Sequence, residues 1–199
     1  TLAAKALVEG PNFFFGRHRE GNVEMLGEMT AEAGLTLDVV APAVYEGEWV
    51  SSSRVRRLLV DGDVAAACDM LATPYRIRGM VTHGAGRGAQ LGFPTANLEA
   101  VDTLLPGYGV YAGHAVFDDH VRAAAIHLGP NPTFHEKGPK VEVHVIDCRE
   151  NLYGMPLEVE FVERLRSIEK FDSEAALKQQ MTRDIQRARD AVRGGVSAE

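Results

Sequence analysis

Residues 75–162 are built from short runs in which apolar and polar side chains alternate, and glycine, proline, asparagine and aspartate separate the runs. Alternation with a period of two is typical of β-strands that have one buried face. We predict five such strands, at residues 75–83, 109–117, 121–129, 140–148 and 157–162. Short strands with turns at this spacing predict an antiparallel barrel or sandwich rather than a parallel sheet.

Two further features complete this predicted β-domain. Residues 118–120, Asp-Asp-His, can form a turn, so the second and third strands should make a hairpin. Ser173 is a suitable N-cap for a final helix whose apolar side chains recur on one face. These side chains are Leu177, Met181, Ile185, Ala188 and Val192. We expect this helix to pack against the barrel.

The first part of the chain has a different pattern. Residues 37–45 are rich in β-branched and apolar side chains and predict a buried strand that is interrupted near Pro42. Helical patterns flank this strand, one over residues 22–33 and others that begin at the serines 51–53 and at Asp63. Such a mixture is typical of an α/β module.

The change between the two patterns falls near Thr73 and Pro74. Proline disfavours helical geometry in the residue before it, and a helical pattern ends at this point. We therefore predict a partial α/β module at residues 1–72 and a β-barrel domain with a C-terminal helix at residues 73–199.

Composition and charge exclude several classes of protein. The 199 residues are 45% hydrophobic and 25% charged, as in ordinary folded proteins. The 21 basic and 28 acidic residues give a net charge of -7, which disfavours a nucleic-acid partner. No apolar run approaches the roughly 18 residues that a membrane span needs, so we expect no membrane partner. Cys68 and Cys148 indicate neither a zinc site nor a disulfide framework, so we expect a cytoplasmic protein. The oligomeric state stays open.

Residues 83–97, HGAGRGAQLGFPTAN, are the segment that most clearly indicates a ligand site. Gly84, Gly86 and Gly88 allow backbone amides to approach a ligand and point together, as in a phosphate cradle. The spacing is neither that of a Walker A loop nor that of a dinucleotide-binding fingerprint. Glycine richness alone more often indicates a plain mobile loop.

The end of this segment favours the phosphate cradle. Thr95 supplies a hydroxyl that can ligate Mg²⁺, and Asn97 supplies a carboxamide that can reach phosphate oxygens or a metal-bound water. Hard cations prefer such oxygen donors.

GFPTAN after a glycine-rich loop resembles the riboflavin kinase family. The resemblance extends through LLPGYGVYAG, GPNPTF, VEVHVID, LYG and FVERLRSIEKFDS, in that order, and covers roughly residues 74–192. It implies a Greek-key antiparallel β-barrel that transfers the γ-phosphoryl group of ATP to the ribityl 5′-hydroxyl of riboflavin, giving FMN. ATP and Mg²⁺ are thereby expected as co-substrate and cofactor.

The resemblance also implies roles for individual residues. Thr95 and Asn97 would hold Mg²⁺ and the phosphates, and Glu142 would be the catalytic base. Because Glu142 alternates with valines on both sides, the valines can face the barrel interior while the carboxylate points into a cleft. Without the resemblance, Glu142 would be interpreted as a solvated residue on the outer face.

Arg166 and Glu169 match the family segment that leads into the final helix, on the flavin side of the site. An ordinary surface ion pair is the alternative interpretation of these two residues. The chain departs from the family pattern at Ala89 and Asn131, where basic residues are usual, and both departures could weaken phosphate contacts.

The first part resembles the back half of the adenylyltransferase module that precedes the kinase in the bifunctional bacterial enzyme. The matching segments are residues 8–21 and 50–56, in which Ser53 and Asn12 replace the usual Thr and Asp. The serines would also serve as simple helix caps. No HxGH motif occurs in the 199 residues, so we expect little or no FAD synthesis from this chain. Because the first residue is Thr1, we expect a piece of a longer natural chain, and the truncated module should either be poorly packed or depend on the barrel for its stability.

The leading hypothesis is thus an ATP- and Mg²⁺-dependent riboflavin kinase with a truncated adenylyltransferase module. One alternative is a complete bifunctional FAD synthetase, if the natural chain is longer. Another is a non-catalytic barrel that binds a flavin or nucleotide, because fold alone does not determine function. An RNA-binding barrel is disfavoured, because basic and aromatic residues do not alternate on neighbouring strands.

Overall fold

The computed structural model describes residues 4–134 and 138–194, and the chain divides into two compact units, residues 1–51 and 52–199. The first unit contains β1 (Ala6–Glu9), α1 (Val23–Glu32) and β2 (Thr36–Val39), and its two strands are parallel. A short antiparallel pair follows, β3 (Val44–Tyr45) with β4 (Glu48–Trp49). This strand-helix-strand order confirms the predicted α/β character of the first part.

The predicted strand at residues 37–45 is interrupted near Pro42 as expected, because β2 and β3 lie on either side of this proline. Its predicted burial is wrong. Val39, Val40 and Val44 are exposed rather than buried. The α1 helix begins as predicted, since the Asn22 side chain accepts a hydrogen bond from the Met25 amide.

Two helices open the second unit, α2 (Ser52–Asp61) and α3 (Val64–Leu71). Gly62, with a φ of 84°, ends the first helix, and the Asp63 side chain caps the second by accepting from the Ala66 amide. Leu59 and Val64 are buried in the same apolar cluster as the barrel interior. The division into compact units therefore falls before these two helices, between residues 51 and 52. The predicted module boundary at residues 72 and 73 stays a prediction.

Six strands form a closed antiparallel barrel. In chain order they are β5 (Tyr75–Thr82), β6 (Ala96–Glu99), β7 (Gly109–Phe117), β8 (His120–Gly129), β9 (Lys140–Val145) and β10 (Pro156–Arg166). Their order around the barrel is β10-β5-β6-β9-β8-β7. The strands β7, β8 and β9 are consecutive neighbours and β10 returns beside β7, which is the Greek-key arrangement. The predicted Greek-key barrel is confirmed.

Alternation of apolar and polar residues explains which face of β9 is buried. On β9, Val141, Val143 and Val145 are buried, while Glu142 and His144 are only half-buried on the opposite face. The predicted hairpin between β7 and β8 is present, with a turn at residues 118–119.

Two elements of the barrel unit fall where we predicted only a loop. Strand β6 begins within the PTAN segment, and a four-residue helix, α4 (Arg87–Gln90), lies within the glycine-rich segment. Both are short, and β6 gains its hydrogen bonds from β5 and β9, which are distant in sequence. Local patterns carry little information about such tertiary pairing.

The C-terminal helix α5 (Glu174–Gly194) packs on the outside of the barrel. The Ser173 hydroxyl accepts a hydrogen bond from the Ala176 amide, as predicted for an N-cap. Ala188 and Val192, from the predicted apolar face, are buried. Within residues 4–134 and 138–194, no helix combines the length and the apolar character that crossing a membrane would require.

Candidate active site

A row of side chains crosses the outer face of the barrel, one from each strand. Each member lies directly opposite the next in the strand register, and cross-strand partners share a face of the sheet. From β5 to β10 the row is Thr82, Asn97, Glu142, His127, Val110 and Arg166. All members except Thr82 line one cleft of about 1020 Å³, including its open mouth, which we call the main cleft.

The glycine-rich segment covers the β6 end of the row. Gly84 lies against the Asn97 carboxamide so closely that a Cβ at this position would overlap the amide. A Cβ at Gly88 would come within 2.5 Å of the Phe93 carbonyl oxygen and 3.1 Å of Thr95 Oγ1. Glycine is therefore needed at both positions for the backbone to lie on these two polar side chains.

Glu142 is held by a neighbour on the β8–β9 connection. The Asn131 amide nitrogen Nδ2 donates a hydrogen bond to Glu142 Oε2 over 3.1 Å. The carboxylate thus has a fixed orientation in the main cleft, and Oε1 takes no part in this contact. Asn131, which the sequence analysis treated only as a departure from the family pattern, has a positioning contact here.

His144, for which the sequence suggested no role, joins β9 to the glycine-rich segment. Its Nδ1 lies 2.7 Å from the Pro94 carbonyl oxygen, and its ring meets the Phe93 ring edge-on at 6.0 Å between centroids. Since a carbonyl only accepts hydrogen bonds, Nδ1 is the donor. This contact holds the residues that precede β6 against strand β9, beside Glu142.

Arg166 forms a buried ion pair with the C-terminal helix. Its Nε and Nη2 each donate to Asp184 Oδ2 over 2.9 Å, and Gln180 Nε2 donates to Asp184 Oδ1 over 2.9 Å. Asp184 is only 3% exposed. The guanidinium also lies 5.5 Å from the centre of the Phe171 ring, within the range of a cation–π contact. Arg166 is therefore no ordinary surface residue, and no sequence pattern indicated Asp184 and Gln180 as its partners.

His127 lies between Glu142 and the Arg166 end of the row. Its Nε2 is 3.3 Å from the Gly129 carbonyl oxygen. Burial lowers the pKa of His127, and Arg166 acts in the same direction, whereas Glu142 and the Gly129 and Pro130 carbonyls oppose the shift. The net decrease leaves the imidazole neutral near pH 7.

The far end of the main cleft is apolar. Its wall combines Ile168 and Phe171, which precede α5, with three side chains of α5 itself, namely Leu177, Met181 and Ile185. Glu169 also lines the cleft. The main cleft thus has a polar end with oxygen donors near Asn97 and an apolar wall beyond Arg166.

A second cleft of about 760 Å³, which we call the side cleft, meets the main cleft at Thr95. It is lined by Val143 and Val145 and by the segment that ends with Tyr153. The His83 ring stacks on the Tyr153 ring at 3.9 Å between centroids. Thr95 can therefore contact ligands in both clefts.

The oxygen donors around β6 fit a hard cation only if a ligand supplies further oxygens. Thr95 and Asn97 offer hydroxyl and amide oxygens held under the glycine backbone, and the Thr82 hydroxyl is buried with no hydrogen-bond partner among the described residues. In the described part of the chain, no group of three or more His, Cys, Asp or Glu side chains could hold a metal alone. Mg²⁺ commonly binds through few protein ligands together with phosphates and water, so these residues fit it as part of a nucleotide complex.

Comparison with known proteins identifies the barrel. The model of the riboflavin kinase family, Flavokinase, matches residues 71–192, which is more than half of the chain. The chain belongs to the riboflavin kinase family. The model of the FAD synthetase family matches residues 1–54.

Similar proteins combine both regions. The bifunctional riboflavin kinase/FMN adenylyltransferase of Bacillus subtilis is 35% identical over 192 residues, which are 94% of this chain and 60% of that protein. The protein of the same name from Escherichia coli K12 is 33% identical over 95% of this chain and 61% of that protein. The chain thus spans about 60% of the length of these relatives.

A crystal structure described as a macrolide-efflux protein from Streptococcus pneumoniae has the same fold over 94% of this chain and 60% of its own. The TM-score is 0.83 and the sequence identity is 32%. The fold of the chain, including the part matched by the riboflavin kinase family, therefore has a close experimental counterpart.

The structure brings together nearly all the site residues that the glycine-rich segment and the riboflavin kinase resemblance indicated. Those that line the main cleft are Gly86, Gly88, Thr95, Asn97, Glu142, Arg166 and Glu169. Gly84 is not part of the lining and lies against Asn97 instead. Their catalytic and binding roles stay predictions.

Proposed function

We propose that the chain transfers the γ-phosphoryl group of ATP to the ribityl 5′-hydroxyl of riboflavin, producing FMN and ADP. One observation carries this proposal, namely that Asn97 on β6 lies directly opposite Glu142 on β9. A phosphate-binding group and a candidate general base are thereby neighbours in one cleft, as in-line phosphoryl transfer requires.

The two clefts suggest where each substrate binds. The apolar end of the main cleft suits the isoalloxazine ring, and the ribityl chain would extend from it towards Glu142. The side cleft, whose lining includes the Tyr153 ring, suits a nucleotide base. The phosphates would then pass under the glycine-rich segment and meet the ribityl end near Thr95.

In the transfer step, Glu142 accepts the proton of the 5′-hydroxyl while that oxygen forms a bond to the γ-phosphorus. The bond between the γ-phosphorus and the β,γ-bridging oxygen breaks, and ADP leaves with that oxygen. Asn131 orients the carboxylate, and His144 keeps the phosphate-binding segment beside it. Mg²⁺, held by Thr95 and Asn97 together with phosphate oxygens, would neutralise charge on the phosphates.

The first unit supports a second candidate activity only in part. Residues 1–54 match the FAD synthetase family, but the 199 residues contain no HxGH motif. We therefore expect FMN, and not FAD, to be the product of this chain. Because ATP is a substrate and the chain has two free cysteines, we place the reaction in the cytoplasm.

The function is tested by incubating the protein with MgATP and either riboflavin or FMN, and by separating the flavins chromatographically. We expect FMN from riboflavin, and no FMN when EDTA removes the divalent cation. Formation of FAD from FMN would support the adenylyltransferase. Tight flavin binding without any product would contradict the kinase and favour a passive flavin-binding barrel.

Replacing Gly84 by Ala should weaken ATP binding without unfolding the barrel. The new Cβ would overlap the Asn97 carboxamide, whose side chain can rotate away at little cost in stability. Losing one contact to the phosphates corresponds to about a tenfold rise in KM for ATP. Among the described residues, a Cβ at Gly138 meets no atom within 4 Å, so Gly138→Ala is the matched control. An unchanged KM for ATP in Gly84→Ala would remove Asn97 from the phosphate site.

A further inference from the structure

We propose that His127 is a specificity-determining residue, whose imidazole contacts a secondary hydroxyl of the ribityl chain and selects flavins that carry a polyol. This inference rests on the proposed kinase function. It assigns to His127 a task that neither the glycine-rich segment nor Glu142 performs.

His127 lies between Glu142 and the apolar end of the main cleft. It lies directly opposite Glu142 on one side and Val110 on the other, and Arg166 follows Val110 in the row. Neighbouring strands are 4.7–4.9 Å apart. His127 is therefore one strand spacing from the carboxylate that would receive the 5′-hydroxyl proton, towards the apolar end of the cleft.

The ribityl chain of riboflavin would pass beside His127. With the isoalloxazine ring at the apolar end and the 5′-hydroxyl at Glu142, the 2′-, 3′- and 4′-hydroxyls must cross the cleft between them. The row offers two residues there, His127 and Val110. Val110 is apolar and 6% exposed, so His127 is the polar side chain of the row that faces the middle of the ribityl chain.

The protonation of the His127 imidazole allows it to accept a hydrogen bond. The Gly129 carbonyl can only accept, so its contact at 3.3 Å assigns the imidazole hydrogen to Nε2. Burial lowers the pKa of His127, so near pH 7 the ring is neutral and Nδ1 keeps its lone pair. A neutral ring held in this way offers an acceptor to a hydroxyl. A buried acceptor discriminates against a ligand that lacks the matching donor, because its hydrogen-bonding capacity is then unsatisfied.

The test compares two substrates in several variants. Riboflavin is compared with 10-(5-hydroxypentyl)-7,8-dimethylisoalloxazine, which keeps the primary hydroxyl and lacks the secondary ones. We expect the wild-type chain to have a higher kcat/KM for riboflavin. His127→Leu should lose about tenfold in kcat/KM on riboflavin and little on the pentyl analogue, which is the effect of one hydrogen bond. His127→Asn, which restores a polar side chain, should recover part of the preference.

His120→Leu is the matched control, because His120 lies on the same strand, outside the main cleft. If His127→Leu does not fold, His127→Phe keeps the ring and removes its nitrogens. An equal loss on both substrates would show that His127 only supports the end of β8, and no preference in the wild-type chain would equally overturn the proposal. If the wild-type chain phosphorylates neither flavin, the kinase function itself is wrong.

Discussion

Replacing Glu142 by Gln should reduce the turnover of riboflavin phosphorylation by about 100-fold or more, while the KM values for both substrates change little. Loss of a general base typically costs 10²- to 10⁴-fold, because the substrate proton then has no acceptor in the transition state. Glutamine keeps the length of the side chain, and its oxygen can still accept the hydrogen bond from Asn131 Nδ2. Steady-state kinetics with coupled detection of ADP would measure the effect.

The matched control for this substitution is Glu99→Gln, an exposed carboxylate on β6 that does not line the main cleft. It should leave turnover unchanged. Binding of riboflavin, followed by quenching of flavin fluorescence, should be similar in both variants and in the wild-type chain. Full turnover in Glu142→Gln would show that another group accepts the proton.

Replacing Asp184 by Asn should lower the free energy of unfolding by about 3 kcal/mol. Removing one partner of a buried ion pair leaves the other charge uncompensated, which typically costs 3–5 kcal/mol. Asp184 accepts from Arg166 through one oxygen and from Gln180 through the other, so either orientation of an asparagine turns its NH₂ group towards a donor. Urea unfolding followed by circular dichroism would measure the loss.

Asp190→Asn is the matched control, because Asp190 is exposed on the same helix and accepts from Gln186 alone among its described contacts. Its free energy of unfolding should fall by less than about 0.5 kcal/mol. If both variants are destabilised equally, the Arg166–Asp184 pair contributes no more than a surface interaction.

Much of the barrel could be predicted because local patterns and tertiary structure agree there. The strand at residues 109–117 and its hairpin partner follow from alternation and from an Asp-Asp turn, and Ser173 caps the final helix as expected. Strand β6 could not be predicted, because Pro94 and Asn97 are typical of loops. Its pairing with β5 and β9 overrides that local preference.

The candidate site could likewise be predicted only in part. The alternation of valines on β9 predicted that Glu142 faces away from the barrel interior, and this orientation is confirmed. The neighbours of Glu142 could not be predicted, because strand register decides that Asn97 and His127 lie on either side of it. Asp184 is a further case, since a charged residue in a helix gives no sign of its burial until its partner is known.

Closure of the sheet also bears on how such a module can be reused. All six described barrel strands are paired on both sides, so none presents the free row of amides and carbonyls that invites other chains to add on. Adding or removing a neighbouring domain would then leave the backbone hydrogen bonds of the barrel strands intact. A closed barrel of this kind can therefore be joined to different neighbouring domains without exposing an unpaired strand edge.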